Sequence, residues 1–231
     1  MSEAYVPVGE RPEGEGGILS RRWIAPAVIV AMFGFAVAVY GDLPDRVPSR
    51  WSFDGSVDET MPRWPGAFLT PALALGVWVL LPLFRRIDPR KRNYERFDET
   101  FWLLVNLLVL FFAGIEVLTL GAALGWPIDV SQAMMAGIGV VFVVLGNYLP
   151  RVRSNWWMGI RTPWTLESER VWRDTHRVAG RTFVIGGLLS VASLVAPAGV
   201  RPWIAMPALI LAGLIPAVYS YLAWQRERRA A

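Results

Sequence analysis

Residues 101–126 read FWLLVNLLVLFFAGIEVLTLGAALGW and carry one charged side chain, Glu116. A bilayer core of ~30 Å is crossed by about 20 apolar residues in an α-helix, and this stretch is long enough. Lipid offers no hydrogen bonds to the backbone, so a single spanning segment has to be helical. A helix from a soluble bundle would present one polar face, whereas this stretch is apolar on all sides. It therefore predicts a transmembrane helix.

Five other stretches of the chain have the same character. They contain no charged residue, and they cover 23–40, 66–84, 130–149, 182–200 and 202–224. Charged residues make up 18% of the chain, below the roughly 25% that is usual for soluble domains. The sequence therefore predicts an all-α fold, a polytopic integral membrane bundle of six transmembrane helices.

The basic residues are distributed unevenly along the chain. Nineteen of the 23 lie in the segments 1–22, 85–100, 150–181 and 225–231. Cytoplasmic segments collect Lys and Arg, so these segments and both termini are predicted to be cytoplasmic. The predicted organisation is a disordered tail (1–22), a helix pair (23–84) with an outer loop (42–65), a four-helix region (101–224) with a cytoplasmic motif loop (150–181), and a basic tail (225–231).

A stripe of small residues in the first span predicts where a neighbouring helix approaches closely. Its members recur at steps of three and four and are Ala27, Ala31, Gly34, Ala38 and Gly41. Small residues at this spacing allow helix backbones to come together in a membrane.

Polar side chains inside the spans are candidates for function. Glu116 lies in the outer half of the third span, and Asn106 and Gln132 are further intramembrane polar groups. A carboxylate in the bilayer is costly, so function is the first interpretation of Glu116. The alternative is a protonated or hydrogen-bonded Glu116 that locks helices together, and both interpretations stay open.

The outer loop is too long for a simple connector, and long ordered loops are often functional. Its four prolines stiffen it, and Asp54-Gly55 is a strong turn signal. We weigh two interpretations, a cap over the outer helix ends and a binding surface. The candidate residues are Pro48, Arg50, Gly55 and Asp58. Its carboxylates lack EF-hand spacing, so no metal site is predicted.

The motif loop carries the other candidates. Gly159 and Pro163 shape a turn around Arg161, and an amphipathic helix is predicted over 166–179, leading into the fifth span. We predict that one cytoplasmic site, able to bind a lipid phosphate, a carboxylate or an acidic partner, is formed by Arg161, Trp164, Trp172 and His176. The alternative is an interfacial elbow in which Arg161 caps backbone carbonyls.

Several classes of site are excluded by composition. The chain has no Cys and a single His, so no metal site is predicted. It also lacks the P-loop, the GxGxxG motif and Ser-His-Asp spacing. We therefore predict no catalytic residue, no cofactor and no direct contact with nucleic acid.

The motif loop resembles the SdpI family of membrane proteins. The resemblance lies in GNYLP (146–150), Asn155, GIRTPWTL (159–166), Val171-Trp172, Thr175-His176-Arg177 and Gly180. The outer loop, with Leu43-Pro44, Val47-Pro48, Gly55 and Asp58, looks like the domain of unknown function numbered 1648, which often has His where this chain has Arg50. The resemblance implies binding residues in the motif loop, namely Asn147, Asn155, Arg161, Thr162, Pro163, Trp164, Trp172, Thr175 and His176.

The resemblance also implies a function. The family's named member is an immunity protein of the bacterial cytoplasmic membrane, which protects a cell from its own secreted toxin and holds a transcriptional repressor at the membrane. It implies, for this chain, a multi-pass protein in the lipid bilayer that meets a secreted peptide toxin outside and a repressor inside. Two alternatives remain: a small transporter or membrane enzyme using Glu116 and the region of Arg161 and His176, and a structural membrane protein without a ligand.

Overall fold

The computed structural model of the chain describes residues 21–52 and 55–230, so most of the predicted tail 1–22 lies outside the described residues. Within these ranges, five helices are long and apolar enough to cross a membrane. They are α2 (Arg63–Ile87), α3 (Asp98–Ala123), α4 (Val130–Tyr148), α6 (Glu169–Ala192) and α7 (Arg201–Ala230). The predicted helical membrane bundle is confirmed.

Helix α1 (Ile24–Val39) is also apolar but has only 16 residues, which gives a length of about 24 Å. It is flanked by Trp23 and Tyr40, residues of the type that anchors helix ends at membrane interfaces. The number of six spans and the cytoplasmic position of both termini stay predictions.

The helices form two groups of three. Helices α1, α2 and α3 pack on one another, helices α4, α6 and α7 do the same, and the groups meet along α3 and α4. A short helix, α5 (Pro163–Glu167), lies in the motif loop and packs against α6 and α7. A 3-10 helix, Lys91–Phe97, leads into α3 on the cytoplasmic side.

The outer loop folds into an antiparallel hairpin of β1 (Arg46–Trp51) and β2 (Val57–Pro62). Val47 is fully buried, and it fits against Gly66 of α2, where a Cβ would lie only 2.7 Å from the Cβ of Val47. The hydroxyl of Ser131 at the start of α4 donates to the carbonyl of Ser52 (3.0 Å). The hairpin is thus an ordered cap that touches both helix groups.

Glycines set the contact between α4 and α6. A Cβ at Gly187 would lie 2.4 Å from the carbonyl oxygen of Gly139, and a Cβ at Gly146 would lie 2.7 Å from that of Gly180. Both pairs sit at the same offset between the antiparallel helices, so the two backbones stay in direct contact over two helical turns.

The small-residue stripe predicted in α1 does not form such a contact, and that prediction is wrong. Ala31, Gly34 and Ala38 are exposed, and no described atom lies within 4 Å of a Cβ built on Gly34 or Gly41. The buried face of α1 instead carries Ile24, Ala25, Ile29, Met32 and Ala36. Small residues can face lipid as readily as protein, because hydropathy alone does not distinguish the two environments.

Replacing Gly187 with Ala should lower the thermal unfolding midpoint in detergent, because the new methyl group would overlap the carbonyl oxygen of Gly139. Overpacking of this kind typically costs ~1–3 kcal/mol. The matched control is Gly34→Ala, which adds the same methyl group in open space and improves helix propensity. We expect an unchanged or raised midpoint for the control. Equal midpoints for the two variants would contradict the close α4–α6 contact.

Candidate functional site

A buried carboxylate joins segment 85–100 to the motif loop. Asp88 follows the end of α2 and is 2% exposed. It accepts hydrogen bonds from the Tyr94 hydroxyl (2.9 Å), the Trp156 backbone N–H (2.9 Å) and the Arg90 backbone N–H (2.7 Å). Three donors therefore offset the cost of removing this group from water. Since Trp156 belongs to the motif loop, the carboxylate links segment 85–100 to that loop.

Asn155 continues this network and shapes the motif loop around it. Its side-chain oxygen accepts from the Tyr94 hydroxyl (3.1 Å) and from the backbone N–H groups of Trp157 (2.9 Å) and Met158 (2.7 Å). Its amide nitrogen donates to the carbonyls of Arg153 (2.8 Å) and Met158 (3.2 Å). Asn155 is fully buried, and the backbone of residues 153–158 turns around its side-chain amide because that amide bonds their N–H and carbonyl groups.

Two further side chains reach from the first cytoplasmic segment into the motif loop. Arg90 donates to the Ser154 hydroxyl and to the carbonyl of Leu166 (2.6 Å). Asn93 donates to the carbonyl of Ser154 (2.7 Å). Sequence reasoning missed the whole of this partner set, namely Asp88, Arg90, Asn93 and Tyr94. The available signal was an Asp-Pro pair standing among six basic residues in 85–100.

Trp172 and His176 form the buried floor of the motif loop. Their rings stack with centroids 4.1 Å apart, and the Trp172 indole donates to the carbonyl of Val152 (2.9 Å). Nε2 of His176 accepts the Ile160 backbone N–H (3.1 Å), while Nδ1 faces the carbonyl of Trp172 (2.9 Å). These partners assign the neutral tautomer with the proton on Nδ1. Both ring nitrogens are engaged, so the imidazole serves to hold the loop.

Gly159 makes this arrangement possible. Its φ of +100° lies in the region that L side chains rarely adopt. A Cβ at this position would lie 2.2 Å from Nε2 of His176. The loop thus closes directly over the imidazole because the residue above it has no side chain.

The solvent-facing residues 161–164 of the motif loop, here called its outer layer, have different neighbours. Arg161 is exposed and donates to the carbonyl of Trp156 (2.7 Å). Thr162 caps α5 in a reciprocal pair with Thr165, and its hydroxyl lies 2.9 Å from that of Ser220 in α7. Pro163 follows at the first position of α5 and is exposed. The Arg161 contact is the backbone cap that the elbow interpretation expects, although the guanidinium remains open to solvent.

The predicted motif-loop residues therefore fall into three places. Asn155, Trp172, Thr175 and His176 are buried. Arg161, Thr162, Pro163 and Trp164 form the outer layer, with Trp164 against Tyr221 (4.9 Å between ring centroids). Asn147 is exposed on α4 and donates to the carbonyl of Val143 in its own helix (2.8 Å). A shared binding role for these residues stays a prediction.

The intramembrane candidates lie apart from one another. Glu116 is 2% exposed, and its Oε1 has no hydrogen-bond partner within 21–52 and 55–230. Asn106 accepts the Ala25 N–H (3.1 Å) and donates to the carbonyl of Arg21 (2.9 Å), which ties α3 to the start of α1. Gln132 donates to Asp129, the N-cap of α4. Asn106 thus has a structural partner set, whereas Glu116 does not.

The outer-loop candidates lie on the hairpin. Arg50 in β1 pairs with Asp58 (2.8 Å) and Glu59 (2.9 Å) in β2. Pro48 is also in β1. Gly55 sits at the hairpin tip with a φ of +89°, as the turn signal predicts. The structure brings Arg50 and Asp58 together and leaves them exposed.

Replacing Asp88 with Ala should lower the unfolding midpoint and open the motif loop to protease. At least one buried donor loses its acceptor, which costs ~1–3 kcal/mol. Asp88→Asn keeps an acceptor oxygen in the same position and should lose less stability. The checks are scanning fluorimetry in detergent and limited proteolysis, with the cleavage site read by mass spectrometry. An Ala variant as stable and as protease-resistant as the parent would refute the linking role of Asp88.

Replacing Gly159 with Ala should cost more than replacing Gly125 with Ala. Both glycines have positive φ, but no described atom lies within 4 Å of a Cβ at Gly125. The control therefore measures the backbone cost alone, about 1–2 kcal/mol. The excess at Gly159 should disappear in the double variant Gly159→Ala/His176→Ala, which removes the colliding ring. Unfolding midpoints of Gly159→Ala, Gly125→Ala, His176→Ala, the double variant and the parent measure this coupling, and equal losses at both glycines would reject it.

Comparison with known proteins finds similarity to two families. Residues 151–220 match the model of the SdpI/YfhL protein family, and residues 27–75 match the domain of unknown function DUF1648. Immunity protein SdpI of Bacillus subtilis (strain 168) is 25% identical over 172 residues, which cover 74% of this chain and 80% of that protein. No solved structure matches the chain significantly. The chain is thus a bacterial multi-pass membrane protein in which residues 151–220 are similar to the SdpI/YfhL protein family and residues 27–75 to DUF1648.

Proposed function

We propose that this SdpI-like membrane immunity protein receives a secreted peptide toxin at its outer face and passes that event to a cytoplasmic regulator. The observation that carries the proposal is the position of α7. This one helix lines a cavity under the hairpin at its outer end, and it holds the motif loop at its inner end.

The outer cavity has a volume of ≈ 530 Å³ and lies between α3, α4 and α7, beneath β1. Its walls are mostly apolar, and three of its side chains are thioethers, contributed by Met134, Met135 and Met206. Methionine side chains are flexible and polarizable, so a wall of this kind adapts to apolar partners of different shape. The cavity therefore suits an apolar peptide segment.

The inner end of α7 contacts α5 at three points. Ser220 lies 2.9 Å from the hydroxyl of Thr162. The ring of Tyr221 is tilted against that of Trp164, with centroids 4.9 Å apart, and the Trp224 indole donates to Glu167 (2.8 Å). A shift of this end of α7 would move α5 with it, and with α5 the outer layer of the motif loop.

The middle of α7 is fixed to α6. Pro216 has no N–H for the carbonyl of Ala212, and the hydroxyl of Thr182 in α6 donates to that carbonyl instead (2.8 Å). Gly186 of α6 also fits closely against α7, since a Cβ there would lie 2.8 Å from the carbonyl oxygen of Ala208. A helix held at its middle can tilt. Binding of a ligand in the outer cavity and the position of α5 against α7 would then be coupled through the tilt of α7.

The rival transporter interpretation requires a polar cavity that reaches Glu116. Glu116 does not line the outer cavity, whose polar lining residues lie mainly in β1 and at the start of α4. The geometry of this cavity favours reception of an apolar segment over passage of a polar solute.

Filling the outer cavity should abolish protection. The chain is expressed in Bacillus subtilis lacking its own SdpI, and survival is counted after toxin challenge. Leu209→Trp fills part of the cavity and should reduce survival about tenfold or more, because the larger side chain clashes with a segment that would enter there. The matched control is Leu214→Trp, the same change at an exposed position of α7, which should protect like the parent at equal membrane levels.

The same two variants test the link along α7. The chain has no Cys, so Thr162→Cys and Ser220→Cys create a single reporter pair. We expect Leu209→Trp to change the rate of disulfide formation by this pair, and Leu214→Trp to leave it unchanged. Equal survival and equal rates for the two Trp variants would overturn the proposed function.

A further inference from the structure

The mouth of the outer cavity carries more acidic than basic side chains. Arg50 lines the cavity, and its guanidinium is shared by Asp58 (2.8 Å) and Glu59 (2.9 Å). A third carboxylate, Asp129, is exposed beside the hairpin tip, 3.8 Å from the position of a Cβ on Gly55. Two carboxylates therefore share one guanidinium beside the mouth, and a third carboxylate, which accepts hydrogen bonds from Gln132, lies next to the hairpin tip.

The floor beneath this mouth is apolar. The polar lining residues sit mostly at the rim, in β1 and at the start of α4, whereas the α7 side of the wall is formed by Ala205, Met206, Leu209 and Ile210. The site thus combines an apolar interior with an acidic edge. Such a combination recognises a ligand with an apolar part and a positively charged end.

We infer that the outer cavity receives an apolar peptide segment flanked by Lys or Arg. This inference rests on the proposed function only in assigning the segment to a toxin. The apolar side chains enter between α3, α4 and α7, and the basic flank contacts Asp58, Glu59 and Asp129. A cavity of ≈ 530 Å³ lies within the usual range for ligand pockets, roughly 300–1,000 Å³, so it takes a few side chains and not a whole helix.

The charge of the mouth also selects against the most abundant competitor, a lipid chain. An acyl chain would fit the apolar interior, but the phosphate of an anionic lipid would meet the carboxylates at the rim. Like charges at a partly exposed site repel, and salt screens this repulsion over a Debye length of ~10 Å at 0.1 M. The preference for a basic flank should therefore weaken as salt is added.

The test uses the full chain in nanodiscs of phosphatidylcholine, which has no net charge. The probes are two synthetic peptides of about 20 residues with the same Leu/Ala core, one with two Lys at each end and the other with two Glu. A photo-crosslinking residue, benzoylphenylalanine, replaces Met206 in the cavity or, as the matched control, Leu214 at an exposed position of α7. Adducts are identified by mass.

We expect position 206 to crosslink the Lys-flanked peptide about three- to tenfold more than the Glu-flanked one, the range that a few exposed ion pairs provide. Position 214 should show no such preference beyond that of the membrane itself. Asp58→Asn/Glu59→Gln should remove the preference at 206. Asp42→Asn/Asp45→Asn, the same charge change elsewhere in the outer loop, should keep it.

Two results would overturn the inference. One is equal crosslinking of both peptides at position 206, and the other is an adduct there that contains only phosphatidylcholine. The outcome is independent of the survival assay. A chain that prefers the Lys-flanked peptide but gives no protection would refute the immunity proposal alone, and a protective chain without the preference would refute the charge selection alone.

Discussion

The buried carboxylate of Asp88 is the contact on which the packing of segment 85–100 against the motif loop depends. It stands at the end of α2, in the first helix group, and it accepts the backbone N–H of Trp156, which belongs to the motif loop of the second group. Apart from this junction, the groups meet mainly along α3 and α4. A buried carboxylate with three donors strongly favours one arrangement. Each donor that is lost leaves part of the desolvation penalty of the carboxylate uncompensated. The junction therefore fixes how the two groups face each other.

This constraint changes what the motif loop can do. Its buried aromatic and imidazole side chains, Trp172 and His176, use their hydrogen-bonding atoms on Val152, Ile160 and the α6 backbone. They leave no free polar atom for a ligand in this arrangement. The part of the loop that stays open to solvent is its outer layer, and that layer is attached to α7 through Thr162. The buried residues make the loop rigid, and the outer layer is the part that α7 can move.

The sequence could predict the spans because the bilayer imposes one strong rule on composition, and it could predict the hairpin turn because Asp54-Gly55 favours it locally. It could not predict the Asp88 junction, since the hydrogen bond of Tyr94 to Asn155 joins residues that are 61 positions apart. Nor could it identify the packed face of α1, since a helix that is apolar all round gives no sign of which side meets protein. Gly139 and Gly187 resemble any other intramembrane glycines until their backbones are seen in contact.

The predicted topology and the charge near the proposed outer cavity have one common cause, the uneven distribution of basic residues along the chain. The segments predicted to be cytoplasmic hold 19 of the 23 basic residues, which leaves only Arg46, Arg50, Arg63 and Arg201 in the segments predicted to lie outside. Each of the three in the hairpin region is already held by hairpin groups, as Arg63 is by Asp45 (2.7 Å) and Arg50 by Asp58 and Glu59. The carboxylates near the cavity are thus not fully neutralised. The uneven distribution of basic residues that predicts the orientation of the chain therefore also leaves carboxylates in excess near the proposed binding cavity.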